Sequence, residues 1–182
     1  MICRQDVYTD LMYGEYPVSY NGCGVIAAYN ALKLKGYAGE EYSFLRILKD
    51  FEELGYPRLK GKWGTKPSKI GRYLKKRGIR ARRCFRSGRR LDQILTPGAV
   101  VVVAVWNKHP LKNGMHLFAC LRTEAGWDTW NRHYRNGPLS YKTFRDILEE
   151  DTRLYVLVLW EQGTVKKSKT EDSAKRFPAK VR

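Results

Sequence analysis

The sequence predicts an α+β domain in which N-terminal helices pack on one side of a C-terminal, mostly antiparallel sheet. Apolar residues recur at helical spacing through residues 24–95, whereas apolar and β-branched runs of strand length dominate residues 99–160. A short turn at Gly126 joins two of these runs, which is typical of antiparallel neighbours. A chain of 182 residues can form one domain with its own core. We assign that domain to residues 1–160, followed by a polar, basic tail over residues 161–182.

Three helices are predicted ahead of the sheet, over residues 24–35, 40–54 and 67–78. The second helix has an apolar stripe made of Phe44, Leu45, Leu48 and Phe51. The third begins at a proline, which suits a first helical turn, and its apolar residues are Ile70, Tyr73 and Leu74. We expect irregular chain over the first twenty residues.

The strands are predicted from apolar and β-branched runs. A short strand over residues 79–85 has Ile79, Ala81 and Phe85 on its apolar face. A helical turn at residues 91–95 follows it. The sheet strands proper are expected over residues 99–106, 115–123, 127–131 and 153–160, with a helix over residues 141–150. The uninterrupted apolar character of residues 99–106 predicts a strand that is buried on both faces.

The formal net charge is +17, from 35 Lys and Arg against 18 Asp and Glu. Residues 56–91 carry fifteen of the basic residues and no acidic one. Such a block attracts nucleic acid, anionic lipid or an acidic peptide, and it is also compatible with a solvated face that aids solubility. No apolar run is long enough to span a membrane, and the first residues lack a signal-peptide core, so a cytoplasmic location is expected.

Four cysteines and three histidines are present. None of the cysteines forms a Cys-x-x-Cys pair, and the histidines are scattered, so the spacing predicts no zinc site. We expect free thiols in a reducing compartment.

Cys23 lies between two glycines at the start of the first predicted helix. Unpaired backbone N–H groups and the positive end of the helix dipole stabilise negative charge there, so we expect a lowered thiol pKa and a reactive nucleophile. The glycines allow another group to approach closely. The alternative is a small, inert core residue, because free cysteines are usually buried.

A thiolate nucleophile needs a base, and the base needs an orienting group. His116 begins a predicted strand, whereas His109 and His133 lie in connecting segments. Folding the hairpin at Gly126 brings Asn131 roughly opposite the start of that strand, where its side-chain carbonyl could accept the imidazole N–H. Asp128 is the alternative third member, although it lies closer to the turn and opposes a residue further along the strand.

An ordered series of short motifs carries a family resemblance. The series is Asn21-Gly22-Cys23-Gly24, Trp63-Gly64-Thr65, Pro97-Gly98-Ala99-Val100-Val101-Val102 and Gly114-Met115-His116. It resembles the double-glycine leader peptidases, family 39 of the cysteine peptidases, and their stand-alone relatives in the papain-like superfamily. The resemblance extends over about residues 15–160.

The resemblance implies a papain-like fold with Cys23 as nucleophile, His116 as general base and Asn131 as third member. That third position is Asp in most leader peptidases and Asn in papain-type enzymes. The family places an oxyanion-hole glutamine six residues before the cysteine, where this chain has Pro17. Asn21 is the nearest side chain that could replace the missing oxyanion donor, and Gln5 is a more remote candidate.

Three functions follow as expectations. The first is a cysteine peptidase that acts on a peptide or protein, for which the basic surface favours acidic substrates, and which needs neither a metal nor an organic cofactor. The second is a weak or inactive peptidase-like module that binds a peptide or partner. Nucleic-acid binding by residues 58–90 is the third.

Overall fold

The computed structural model describes residues 1–85, 88–106, 114–133, 135–148 and 152–160. The predicted tail over residues 161–182 and His109 lie outside the described residues.

The N-terminal segment is more ordered than the predicted irregular chain. Strands β1 (Met12–Tyr13) and β2 (Tyr16–Pro17) pair antiparallel in a short hairpin. Helix α1 (Val18–Asn21) follows directly, and Gly22 separates it from the central helix α2 (Cys23–Leu34). The hairpin and α1 therefore lead the chain straight to the start of α2.

Helices α3 (Phe44–Glu53) and α4 (Pro67–Lys76) pack beside α2. The prediction of one helix over residues 40–54 is wrong, because a 3₁₀ turn at Glu40–Tyr42 is separated from α3 by the extended residue Ser43. The Ser43 hydroxyl accepts a hydrogen bond from the N–H of Arg46, so this residue caps α3. The predicted stripe changes as well. Leu45 is 63% exposed, and Ile47 is buried in its place.

Among the described residues, six strands form one antiparallel sheet in the order β3-β8-β4-β5-β6-β7. The strands are β3 (Arg80–Arg83), β4 (Val100–Trp106), β5 (Met115–Arg122), β6 (Trp127–Trp130), β7 (Leu139–Tyr141) and β8 (Thr152–Trp160). The α+β class and the antiparallel sheet are thus confirmed. Strand β7 was not predicted. Its last residue, Tyr141, is the first residue of the predicted helix over residues 141–150, of which only α6 (Phe144–Leu148) is helical among the described residues.

Helices cover both faces of the sheet, which corrects the prediction of helices on one side. Helices α2, α3 and α4 pack on the face that carries Val100 and Val102. Helices α5 (Gly88–Ile94) and α6 contribute to the core on the opposite face, which carries Val101 and Val103. Strand β4 is apolar at every position, so both of its faces must be covered by other elements. Burying each of its valine side chains stabilises the fold by about 1.5–3 kcal/mol.

Two further predictions have clear outcomes. Phe85 is 73% exposed, and the Arg83 guanidinium lies 4.4 Å from its ring centroid. Phe85 therefore does not extend the apolar face that was predicted for residues 79–85. The four cysteines are free, as predicted. Of the helices in the described part of the chain, none combines the length and apolar character needed to cross a bilayer.

Candidate active site

Cys23 is the first residue of α2, and the glycines on either side of it are packed tightly. A side chain at Gly22 would collide with Val18, which lies in the preceding turn. A Cβ at Gly24 would lie 2.6 Å from the Cβ of Thr65. These glycines are needed because other parts of the chain approach closely, and Gly22 has an ordinary right-handed backbone with φ of −78°.

The Cys23 thiol is 7% exposed. Burial raises its pKa to about 11, although hydrogen bonds donated by the backbone N–H groups of Leu117, Gly24 and Cys23 itself act in the opposite direction. The expected lowering of the pKa at the helix start is therefore wrong, because desolvation outweighs the effect of the helix N-terminus. At neutral pH the thiol carries its proton.

His116 is the second residue of β5, and its ring is fixed from two sides. Nε2 contacts the backbone carbonyl oxygen of Asn131, and the ring stacks on Phe118 with 5.9 Å between centroids. Leu117, the next residue, lies close enough to Cys23 for its backbone N–H to lower the pKa of the thiol. The thiol therefore lies near Leu117, whose side chain packs in the core on the α2 face, whereas the His116 ring stacks on Phe118, which belongs to the core on the opposite face.

Asn131 lies beside His116, as the hairpin register predicts, but through a different group. The paired part of β6 ends where Trp130 opposes Ala119. Asn131 then adopts a left-handed backbone with φ of 62°. This conformation directs the main-chain carbonyl to the His116 ring, while the side-chain Nδ2 donates to Gln5 Oε1 at 3.4 Å. The expected side-chain carbonyl is thus replaced by the backbone carbonyl.

Asp128 lies further from His116 along the hairpin. It opposes Leu121 in the β5–β6 ladder, five residues beyond His116. Its carboxylate accepts a hydrogen bond of 2.6 Å from the Ser140 hydroxyl. The register therefore places Asp128 away from the imidazole, as the distance from the turn predicts.

The side chains considered as oxyanion donors have other partners. Pro17 is the N-cap residue of α1 and carries no donor. The Asn21 Nδ2 donates to the carbonyls of Tyr13 and Gly61, at 2.7 and 2.8 Å, so both of its N–H bonds are used within the fold. Gln5 Nε2 donates to the Ser19 carbonyl at 3.0 Å. Of the donors considered, the Cys23 backbone N–H is thus the remaining candidate for an oxyanion hole.

Tyr13 and Thr65 were missed as neighbours of the thiol. Their hydroxyls are 2.6 Å apart and buried. The pKa of Tyr13 is raised mainly by burial, and the nearby Cys23 contributes to the rise. The Trp63-Gly64-Thr65 motif was the available signal, since it recurs in the resemblance, but its contact with Gly24 is visible only in the fold.

Other features of the molecule do not add to this site. A surface depression of about 250 Å³ between α3 and α4 is lined by Asp50, Tyr73 and Arg77, and does not include Cys23. Within the described part of the chain, no group of three or more His, Cys, Asp or Glu side chains could hold a metal ion. Comparison with protein-family models and with curated proteins finds no match for this chain.

Proposed function

We propose that the protein is a papain-like cysteine peptidase in which Cys23 is the nucleophile and His116 the general base. The observation that carries this proposal is the meeting of two elements. The thiol on the first residue of α2 lies near the Leu117 backbone, and His116, the neighbouring residue in β5, has its Nε2 bound to the Asn131 carbonyl. Acyl transfer requires a thiol and an oriented imidazole, with the His116 ring reaching the Cys23 thiol at the start of β5.

Attack on a peptide begins with a neutral thiol, because burial keeps the Cys23 pKa near 11. The sulfur forms a bond to the scissile carbonyl carbon while His116 Nδ1 takes the thiol proton. Nε2 stays bound to the Asn131 carbonyl, which stabilises the resulting imidazolium. The backbone N–H of Cys23 donates to the oxyanion.

Collapse of this intermediate breaks the C–N bond, and His116 returns the proton to the leaving amine. The acyl group remains on Cys23 as a thioester. Water then attacks the thioester, His116 accepts a proton from that water, and the new carboxylic acid leaves as the proton returns to the sulfur. This sequence uses no metal and no organic cofactor.

The test is turnover of an internally quenched peptide library by the wild type and by matched variants. Cys23→Ala should abolish hydrolysis, and His116→Ala should lower kcat about 10²–10⁴-fold, the usual effect of losing general acid–base catalysis. Cys84→Ala and His133→Ala are the controls and should retain activity, because neither side chain belongs to the site. Hydrolysis by the Cys23→Ala variant at the wild-type rate would contradict the proposal.

A peptide-binding module on the same fold is the second candidate. It is favoured by the absence of a side-chain donor at Pro17 and by the buried, neutral Cys23 thiol. Losing one oxyanion-hole donor typically costs about 10²–10³ in kcat. Peptide binding that is unchanged in Cys23→Ala, with no turnover by the wild type, would establish this alternative.

A further inference from the structure

Residues 58–66, which we name the basic loop, are bonded to the chain on both sides of Cys23. The Asn21 side chain donates to the Gly61 carbonyl at 2.8 Å, and the Glu15 N–H donates to the Lys60 carbonyl at 2.7 Å. At its other end Thr65 packs against Gly24. The basic loop therefore has a fixed position beside the candidate nucleophile.

The backbone of the basic loop is strained. Leu59 and Lys60 are consecutive non-glycine residues in the left-handed region, with φ of 47° and 57°. Such conformations are disfavoured for residues with a Cβ and persist only where the surroundings enforce them, which happens most often at ligand-binding sites. The hydrogen bonds to the Lys60 and Gly61 carbonyls supply that enforcement here.

This rigid loop exposes two large apolar side chains. Leu59 is 67% exposed and Trp63 is 63% exposed. A tryptophan held in place on a bonded loop can bury much of its ring against a ligand with little further loss of entropy. Leu59 and Trp63 therefore offer anchoring surface to an apolar side chain of a bound molecule.

The charge on the loop is of one sign. Arg58, Lys62 and Lys66 are exposed, and within the described residues none of them forms an ion pair with a carboxylate. Lys60 differs, because its ammonium lies 2.9 Å from Glu15. No acidic residue occurs in residues 58–66. Three uncompensated cations around exposed apolar side chains complement a ligand with apolar and acidic groups.

We propose that the basic loop is the recognition surface for the peptide substrate and selects a segment in which an apolar side chain is flanked by Asp or Glu. The inference rests on the proposed function in treating the ligand as a peptide delivered to Cys23. Trp63 and Leu59 contact the apolar side chain, and Lys62 with its basic neighbours contacts the carboxylates. A peptide is favoured over nucleic acid because the anchoring surface is one tryptophan and one leucine rather than a row of stacking aromatics.

The experiment measures binding to the Cys23→Ala protein, so that its outcome does not depend on turnover. Three fluorescent peptides of equal length are compared by anisotropy at physiological salt: one with a central Leu flanked by Glu, one with Leu flanked by Lys, and one with Ala flanked by Glu. The first should bind at least about tenfold more tightly than the other two.

Variants in the Cys23→Ala background assign the preference to the loop. Trp63→Ala should weaken binding of the peptide with Leu flanked by Glu, the Leu–Glu peptide, about tenfold or more. Lys62→Glu should weaken the same binding about threefold to tenfold. Phe85→Ala removes a comparably exposed aromatic two residues after β3, and Lys76→Glu reverses an exposed charge at the far end of α4. Both controls should bind the peptide as the parent does.

Equal binding of the three peptides, or equal effects of Trp63→Ala and Phe85→Ala, would overturn the loop proposal whether or not the wild type cleaves peptides. Conversely, a loop-dependent preference without hydrolysis by the wild type would support the loop and contradict the proposed activity. A single-stranded DNA oligonucleotide is tested in parallel. If it binds more tightly than the Leu–Glu peptide and loses affinity in Lys62→Glu, the surface is a nucleic-acid site and the peptide proposal is wrong.

Discussion

His116 Nε2 is bound to the backbone carbonyl of Asn131, so the group that orients the imidazole is part of the main chain. Asn131 supplies it by turning the chain into the left-handed region directly after β6. An orienting group of this kind does not depend on a particular side chain, provided that the residue tolerates a positive φ.

Asn131→Gly should therefore keep kcat/KM within about tenfold of the wild type, because glycine adopts a φ of 62° readily and retains the carbonyl. Hydrolysis of the best library peptide measures this. Asp128→Asn is the control and should also be active, since that carboxylate faces Ser140. A loss of 10²-fold or more in folded Asn131→Gly would show that the side chain orients the base.

Gly24→Ala should destabilise the protein by about 1–3 kcal/mol, because the new methyl group collides with the Cβ of Thr65. Urea unfolding measures the change. Gly71→Ala is the matched control in the interior of α4, where the added Cβ would meet the side chains of Leu157 at 3.3 Å and Tyr155 at 3.6 Å. Helix propensity favours alanine there and the Leu157 side chain need move only slightly, so that variant should be destabilised much less than Gly24→Ala. Equal destabilisation by both substitutions would contradict the close packing of Thr65 at the start of α2.

The free energy of unfolding should fall as the pH rises above about 9. Burial raises the pKa of Cys23 to about 11 and that of Cys120 still further, so the folded protein holds protons that the unfolded chain releases. This stability is present below the unfolded pKa and is lost between it and the folded pKa, by roughly 1 kcal/mol per pH unit for each group.

Urea titrations between pH 7 and 10.5 test this dependence. Cys23→Ala and Cys120→Ala should each reduce the slope, because each removes a buried thiol. A slope that Cys23→Ala does not alter would mean that the thiol is not held in its protonated form by burial.

The features that were predicted correctly are those encoded by long, regular patterns. The apolar run of β4 and the helical spacing of α2 left little ambiguity, and the α+β class followed from them. The break at Ser43 was missed because the apolar spacing continues across it while the residue caps a new helix. Helices α5 and α6 were not assigned to a second face because each is too short to show a reliable period.

At the candidate site too, the features set by a regular pattern were predicted and those set by local conformation were not. Hairpin register alone predicted that Asn131 would lie near His116 and that Asp128, kept as the alternative, would oppose a residue further along β5. The identity of the contacting group depends on the φ of Asn131, which no local pattern specifies. The thiol pKa depends on burial, and burial is set by the packing of β5 against the start of α2.

The central claim is that His116 activates Cys23, and an affinity label tests it most directly. A peptidyl acyloxymethyl ketone is incubated with the protein at neutral pH, and mass spectrometry locates the adduct and its rate of formation. The proposal predicts that Cys23 is modified ahead of the more exposed Cys3 and Cys84, and that His116→Ala slows this about 10²-fold or more. Modification of Cys3 or Cys84 first, or an unchanged rate at Cys23 in His116→Ala, would contradict it.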